Sequence, residues 1–480
     1  MKINVNYRNL SRFLKLLLVL VVFIVVVYSV FKSCWIIREK KYSDKSHSNQ
    51  QKSDVTQEDY TQSPPTLESS IINVTPVPVI NWNKISKSRL PWYFKDGLRY
   101  PERDLVDNKT GVRISKLWPE EHMLGDRVEE QLMFVPPHYK YENAPLKNIL
   151  LYNDHKNWMI EDGQIEFLSN GCPVDRCKII RNAKYLYEAD AVVFRNNFID
   201  YELSTSIANQ VRIFYIQQSA YYTKLDNISA NFINWTVSYR HDSDIVVPYR
   251  RWAYYNNPLV TQREQLQRNY AQNKKKLIAA VIMECDTDNG RILYVRELNK
   301  HIAVDIYGQC GDYNYVISDT FFKILGQDYR YYLAFEDSNC INYITEKFFV
   351  EGLGYDMLPI VMGARREDYE LVAPHHSYLH VDDFESPEEL SKYLFRLSND
   401  DELYNEYFRW KGSGEFVDTR FFCRLCAMLH DESAPVKHYH NVIDWWRRPD
   451  ACDHQPARRW KTPGENSSQP PEVRKQYSLS

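Results

Sequence analysis

The chain has 480 residues, 44% of them hydrophobic and 26% charged, and its 60 Lys and Arg nearly balance 63 Asp and Glu. That length suffices for a large core and two or three domains, and 14% aromatic residues exclude a disordered chain. A net charge of −3 lacks the basic excess of a general nucleic-acid binder, so no nucleic-acid partner is expected.

Glycine is scarce, 15 residues in all, and GxGxxG, GxxxxGKS/T, GxSxG and HExxH strings are absent. Walker-type NTPases, serine hydrolases and zincins therefore lose their usual sequence support.

Residues 1–15 are basic and read as a cytoplasmic tail, and Lys15 and Lys32 bracket an uncharged stretch, 16–31. As a helix it spans about 24 Å, short of a ~30 Å hydrocarbon core, a gap that snorkelling lysines close. The Tyr28-Ser29-Val30 sequence is a poor cleavage site, so the segment is expected to be an uncleaved signal anchor. Basic residues flank it on both sides, and charge alone does not orient it. Cysteines and glycosylation sequons do. Of the nine cysteines Cys34 lies at the membrane edge and eight lie well beyond it, as do Asn-x-Ser/Thr sequons at Asn73, Asn108, Asn227, Asn234 and Asn466. An oxidising lumen fits both, so the layout expected is a type II membrane protein of the secretory pathway.

Residues 32–90 form a stem, rich in Ser, Gln, Asp and Lys over most of its length and carrying Pro64, Pro65, Pro76 and Pro78. In residues 91–265 short apolar runs at 148–152, 189–194 and 211–216 predict buried strands. A polar stretch at 262–276 marks a boundary. Beyond it strands are predicted at 277–283, 302–307, 331–335, 358–362 and 378–381, and helices at 291–301, 344–353 and 387–397. Ser386 caps the last of these, Pro387 takes its first position and Glu389 completes a capping box. Strand–helix alternation predicts parallel sheets covered by helices, an α/β class with two Rossmann-like domains, 91–265 and 266–445, around a cleft. Residues 446–480 are polar and read as a solvated tail.

The richest stretch is 331–384. A strand there ends in Phe335-Glu336-Asp337-Ser338, and Tyr343-Ile344-Thr345-Glu346-Lys347 opens a helix. Ligands of doubly wound sheets sit at the carboxyl ends of strands, where Lys347 can meet a pyrophosphate and Glu346 a sugar hydroxyl. Taken alone, Glu346 and Lys347 read equally as a surface ion pair. Asp242-Ser243-Asp244 and Asp286-Thr287-Asp288 each fit D-x-D, a string common by chance, and are read as structural or solvated. Cys172 and Cys177, and Cys423 and Cys426, are close pairs with no histidine spacing for zinc, and are read as disulfide cysteines. The partners of Cys285, Cys310, Cys340 and Cys452 stay open.

FEDSNC, YITEKFF, PIVMGA, SYLHVDDFESPEEL, YFRWK and FCRLCAMLHDE, together with SYRHDSD and PY near residue 240, resemble the α1,3-fucosyltransferases of glycosyltransferase family 10. FCRLC and DWWRRPDAC are most similar to members acting on the core of N-glycans. The resemblance covers about residues 90–450. It implies a GT-B fold, GDP-β-L-fucose as donor, an N-glycan of a glycoprotein as acceptor, inversion at the fucose anomeric carbon and a Golgi membrane location. No cofactor or metal is required by it, and no site supports metal stimulation. It also implies donor contacts at Arg240, Arg291, Glu336, Asp337, Tyr343, Glu346 and Lys347, with Arg291 and Lys347 carrying the charge of the leaving GDP.

The family's Ser-Asn-Cys is Met283-Glu284-Cys285 here, a carboxylate unfavourable near a pyrophosphate unless it turns away. In the family, a strand like 211–216 leads into Glu-Ser-Pro-x-His-Thr, whose Glu is the candidate base. Here Gln218 takes that position, Ala220 the Pro and Tyr222 the His. A carboxamide cannot accept a proton at neutral pH. Two rivals stand beside the enzyme reading: a catalytically weak or silent GDP-fucose-binding member acting through partners, and a GT-B transferase for another nucleotide sugar.

Overall fold

The structure is a computed structural model that describes residues 116–122, 125–137, 139–140, 142–152, 158, 160–195, 209–225, 228–254, 266–313, 316–454 and 460. The anchor, the stem and the sequons at Asn73, Asn108, Asn227 and Asn466 lie outside the described residues. Among the described residues no helix is long and apolar enough to cross a membrane.

Strands are numbered along the chain. β1 (Lys147–Tyr152), β2 (Cys177–Ile180), β3 (Ala191–Arg195), β4 (Val211–Tyr215), β5 (Trp235–Ser238) and β6 (Ile245–Val246) form one sheet. Its order is 2-1-3-4-5-6, with every neighbouring pair parallel. β8 (Lys276–Val281), β9 (Val304–Tyr307), β10 (Tyr329–Phe335), β12 (Leu358–Met362) and β13 (Leu379–His380) form the second, also wholly parallel. Its order is β13-β12-β10-β8-β9, a doubly wound arrangement in which the chain starts at β8, steps out to β9 and then crosses back to β10. The first sheet has the flavodoxin-like order rather than the 3-2-1-4-5-6 order of dinucleotide-binding domains. The α/β expectation with parallel sheets holds.

Alternation along the second sheet explains its two covered faces. Ile278, Ala280, Tyr331, Leu333, Phe335, Ile360 and Met362 point to one core. There they meet α3 (Arg291–Asn299), α6 (Pro387–Ser398) and α7 (Asp401–Glu406). Ala279, Val281, Tyr332, Ala334 and Val361 point to the other, against α4 (Asp319–Asp328) and α5 (Arg366–Val372). In the first half, α1 (Val128–Met133) and α2 (Ile165–Ser169) pack on the face formed by Ile149, Val193 and Ile213. Ser386 caps α6 as expected, accepting from the Glu389 N–H at 3.2 Å, whereas the Glu389 carboxylate reaches back to the Glu385 N–H.

One expectation is corrected by how the chain returns on itself, and the halves expected to meet near 265 are joined in the same way. β7 (Arg251–Tyr254) pairs antiparallel with β14 (Gly414–Val417), and α8 (Phe421–Leu429) packs into the core of the first sheet. Disulfides Cys172–Cys423 and Cys177–Cys426 bolt α8 there, so the two close cysteine pairs bridge to each other. The expectation corrected is the solvated tail. Trp446, at the end of α9 (Val442–Trp446), is 0% exposed, and Trp460 packs edge-on to Tyr294. β15 (Cys452–Asp453) pairs with β11 (Asn339–Cys340), and Cys340–Cys452 closes the pair. A few aromatic and cysteine anchors hold a segment whose average composition is polar.

Candidate active site

In an open α/β sheet ligands bind where the strand order reverses. In the second sheet that place lies between the carboxyl ends of β8 and β10. The loop after β8 leads into α3, whose first residue is Arg291, and the loop after β10 carries Glu336 to Lys347.

Arg291 is 2% exposed. Its Nη1 donates to the Phe335 carbonyl at 2.8 Å and its Nη2 to the Glu284 carbonyl at 3.2 Å, so the guanidinium spans the ends of β10 and the β8 loop. Its Nε is buried without a partner. Glu284 itself is exposed.

Glu336 is buried and accepts two bonds from one residue, the Thr345 N–H at 2.7 Å and the Thr345 hydroxyl at 2.9 Å. Burial pushes its carboxyl up to about 8, against the opposing pull of Thr345 and of Lys347. Glycine at 363 (φ +150°) leaves room for that carboxylate, since a Cβ there would lie 2.6 Å from Glu336 Cγ. The Glu336–Thr345 pair therefore fixes where Lys347 begins its helix. The predicted helix over 344–353 is a six-residue π-helix, Lys347–Gly352, continued by a 3-10 turn, Leu353–Tyr355. π-Turns of this kind recur at functional sites. Glu346 is exposed and Lys347 half-buried. Asp337 is half-buried, accepts from the Ser338 hydroxyl at 2.9 Å, and is raised by burial while Arg291 and Lys347 lower it.

Tyr343 and Arg240 are both buried. Tyr343 is buried in the core that joins the halves, 5.1 Å from the Tyr239 ring. Arg240 is buried in an ion pair with Asp242, and its Nη1 donates to the Trp445 and Trp446 carbonyls at 3.2 and 2.8 Å. These bonds tie Arg240 to the end of α9.

On the opposite side stands the loop after β4. Gln218 is exposed, and its carbonyl accepts from the Tyr239 hydroxyl at 3.2 Å. The next residue, Ser219, shares a hydrogen bond with the Ser338 hydroxyl. Tyr222 accepts from the Asp288 N–H at 2.9 Å. These two contacts bring the Gln218 loop to both loops of the second sheet. Sequence reading gave no role to Ser219, nor to Ser338 and Thr345, which it met only as members of the 335–338 and 343–347 motifs.

The carboxylates of the two D-x-D strings have separate surroundings. Asp242 is paired with Arg240 and Arg448, and buried Asp244 with Lys437. Asp288 pairs with His454, while Asp286 is exposed. Among the described residues the one cluster with metal-ligand spacing is Cys177, Cys426 and His430, and its two sulfurs are joined in a disulfide.

Asn234 is the expected sequon residue that falls among the described residues. Its side-chain oxygen accepts from the Arg212 N–H at 2.9 Å, and its amide donates to the Lys437 carbonyl at 3.1 Å. Thr236 of the same sequon is buried against Asp244. The amide that would carry a glycan is a structural strut beside β5.

Two family profiles match the chain in order: "Fucosyltransferase, N-terminal" over residues 144–250 and "Glycosyltransferase family 10 (fucosyltransferase) C-term" over 271–445. Glycoprotein 3-alpha-L-fucosyltransferase A of Drosophila melanogaster is 43% identical over 380 residues, covering 77% of this chain and 75% of its own. The chain belongs to glycosyltransferase family 10. As a family 10 fucosyltransferase it is also 32% identical over 301 residues to alpha-(1,3)-fucosyltransferase C of the same fly, covering 57% of this chain and 70% of that one. A crystal structure of an alpha1,3-fucosyltransferase superposes with a TM-score of 0.43 at 15% identity, covering 66% of this chain and 98% of that one. The protein is thus a glycosyltransferase with the α1,3-fucosyltransferase activity of its family.

Proposed function

We propose that this fucosyltransferase moves L-fucose from GDP-β-L-fucose, with inversion, to the 3-hydroxyl of a GlcNAc in the core of a glycoprotein N-glycan. The observation that carries this reading is the placement of Arg291 and Lys347 on the two loops at the strand-order reversal, opposite the Gln218 loop. In the reaction, O3 of the acceptor attacks C1 of fucose from the face opposite GDP. The C1–O bond to the β-phosphate breaks, its electron pair leaves with GDP, and the O3 proton passes to a base. Arg291 and Lys347 supply positive charge where the leaving diphosphate gains negative charge, the largest effect a transferase site offers. Donor and acceptor are then assigned to the two sides of a GT-B cleft, residues 266–445 and 91–265.

Gln218 favours a second reading, a member that binds donor well and turns over slowly. Its amide hydrogen-bonds but takes no proton. Asp242, the neighbouring carboxylate that could replace it, is held by Arg240 and Arg448.

A Golgi location, with the body in the lumen behind a single membrane span, is part of the same proposal. Four disulfides suit an oxidising compartment. Thermal unfolding with added nucleotides tests the donor assignment, because a ligand of the folded state raises its stability with concentration. GDP and GDP-fucose should raise the Tm; a rise with UDP and none with GDP would overturn the assignment.

A further inference from the structure

We propose that Tyr221, backed by Tyr222 and His454, is the surface on which a sugar ring of the acceptor glycan stacks. The inference rests on the proposed transfer to an N-glycan and adds the residues that would hold that glycan. Past Gln218 the chain makes a tight turn in which the Thr223 N–H donates to the Ser219 carbonyl at 3.0 Å and the Tyr221 N–H to the Ser219 hydroxyl at 3.1 Å. This puts two tyrosines at the tip, 42% and 39% exposed. Both rings keep solvent-exposed area next to Gln218.

The cluster is built from three separate segments. The Tyr222 hydroxyl accepts the Asp288 N–H, and the Asp288 carboxylate pairs with His454. The Tyr221 ring stands edge-on to Tyr222 at 4.8 Å and to His454 at 5.7 Å. The far end of the turn is held by Trp446, whose Nε1 donates to the Thr223 hydroxyl at 3.2 Å, and by Arg447 on the Thr223 carbonyl. The segment bearing His454 is clipped to β11 by Cys340–Cys452. Rings fixed in this way lose little freedom on binding.

The chemistry selects the ligand. One face of a pyranose presents C–H groups, which suit the electron-rich face of a phenol ring, while tyrosine and histidine edges serve its hydroxyls. A diphosphate wants cations, and Arg291 and Lys347 are on the other loops. The turn lies beside Gln218, where the acceptor hydroxyl must arrive.

The test compares the full chain with its Tyr221→Ala and Tyr221→Phe variants. Affinity for a free N-glycan in the presence of GDP is read by ligand-detected NMR, and GDP affinity is read separately. Tyr221→Ala should weaken glycan binding about tenfold and leave GDP affinity unchanged, whereas Tyr221→Phe, which keeps the ring, should bind as wild type does. Unchanged glycan affinity in Tyr221→Ala, a parallel loss of GDP affinity, or a wild type that binds no free N-glycan would overturn the proposal. A wild type that binds glycan through Tyr221 and transfers no fucose would overturn the transfer reading and leave the platform standing.

Discussion

The hydroxyls of Ser219 and Ser338 are hydrogen-bonded to each other, although 119 residues separate them in the chain. The bond joins the loop after β4 to the loop after β10, so the Gln218 turn and the Glu336–Lys347 segment share one anchor. Both serines are buried, and Ser338 also donates to Asp337.

A double-mutant cycle measures that anchor. Ser219→Ala and Ser338→Ala should each cost about 1–3 kcal/mol of unfolding free energy, because each leaves a buried hydroxyl without its partner. The double variant should cost clearly less than their sum. Additive losses by denaturant unfolding would show that the two loops are not coupled through this contact.

Removing positive charge at the strand-order reversal should impair donor chemistry. Lys347→Ala is expected to lower kcat on the order of a hundredfold or more, the usual cost of losing a group that stabilises developing charge. Arg291→Ala should act similarly and also loosen the ends of β8 and β10, since its guanidinium holds carbonyls there. Steady-state kinetics with varied donor separate the two, and an unchanged kcat for Lys347→Ala would remove it from the site.

Glu336 makes stability depend on pH. Its folded carboxyl titrates near 8 against an ordinary value of 4.5. The fold therefore binds a proton that the unfolded chain has released, and the stability this lends is full below about 4.5 and is lost as pH rises through about 8. Glu336→Gln should remove that dependence, so the Tm difference between wild type and variant should fall as pH rises across this window. Parallel Tm curves would contradict the burial argument.

Asn234 is expected to carry no glycan. Asn234→Gln should leave the mass lost on enzymatic deglycosylation unchanged. It should also lower stability by about 1–3 kcal/mol through the Arg212 and Lys437 bonds that the longer side chain misplaces. A drop in glycan mass would show that the side chain leaves its strut.

Much of the second sheet is legible in its strands. Runs at 302–307, 331–335 and 358–362 fall on or beside Val304–Tyr307, Tyr329–Phe335 and Leu358–Met362, because strands buried on both faces are continuous apolar stretches. Other elements escape such a reading. Ile245–Val246 and Cys452–Asp453 are two-residue strands whose pairing depends on other parts of the chain. The polar tail hides Trp446, Cys452 and Trp460, three anchors whose importance comes from where they land. At the site, Arg291 and Glu336 are reached through the family resemblance, and Lys347 also through its place at the start of a helix after a strand. No local pattern shows the partners these arginines take: Arg240 bonds Asp242 and the α9 carbonyls, and Arg291 the carbonyls of Phe335 and Glu284.

Fucose transfer from GDP-fucose is tested most directly by turnover of the full chain and its Gln218→Glu variant on an N-glycan core acceptor, with the product linkage read by NMR. The expected product is an α1,3-fucosylated GlcNAc, formed slowly by wild type and about 10²–10⁴-fold faster by Gln218→Glu, the usual worth of a general base. No fucosylated product from either protein would contradict the transfer.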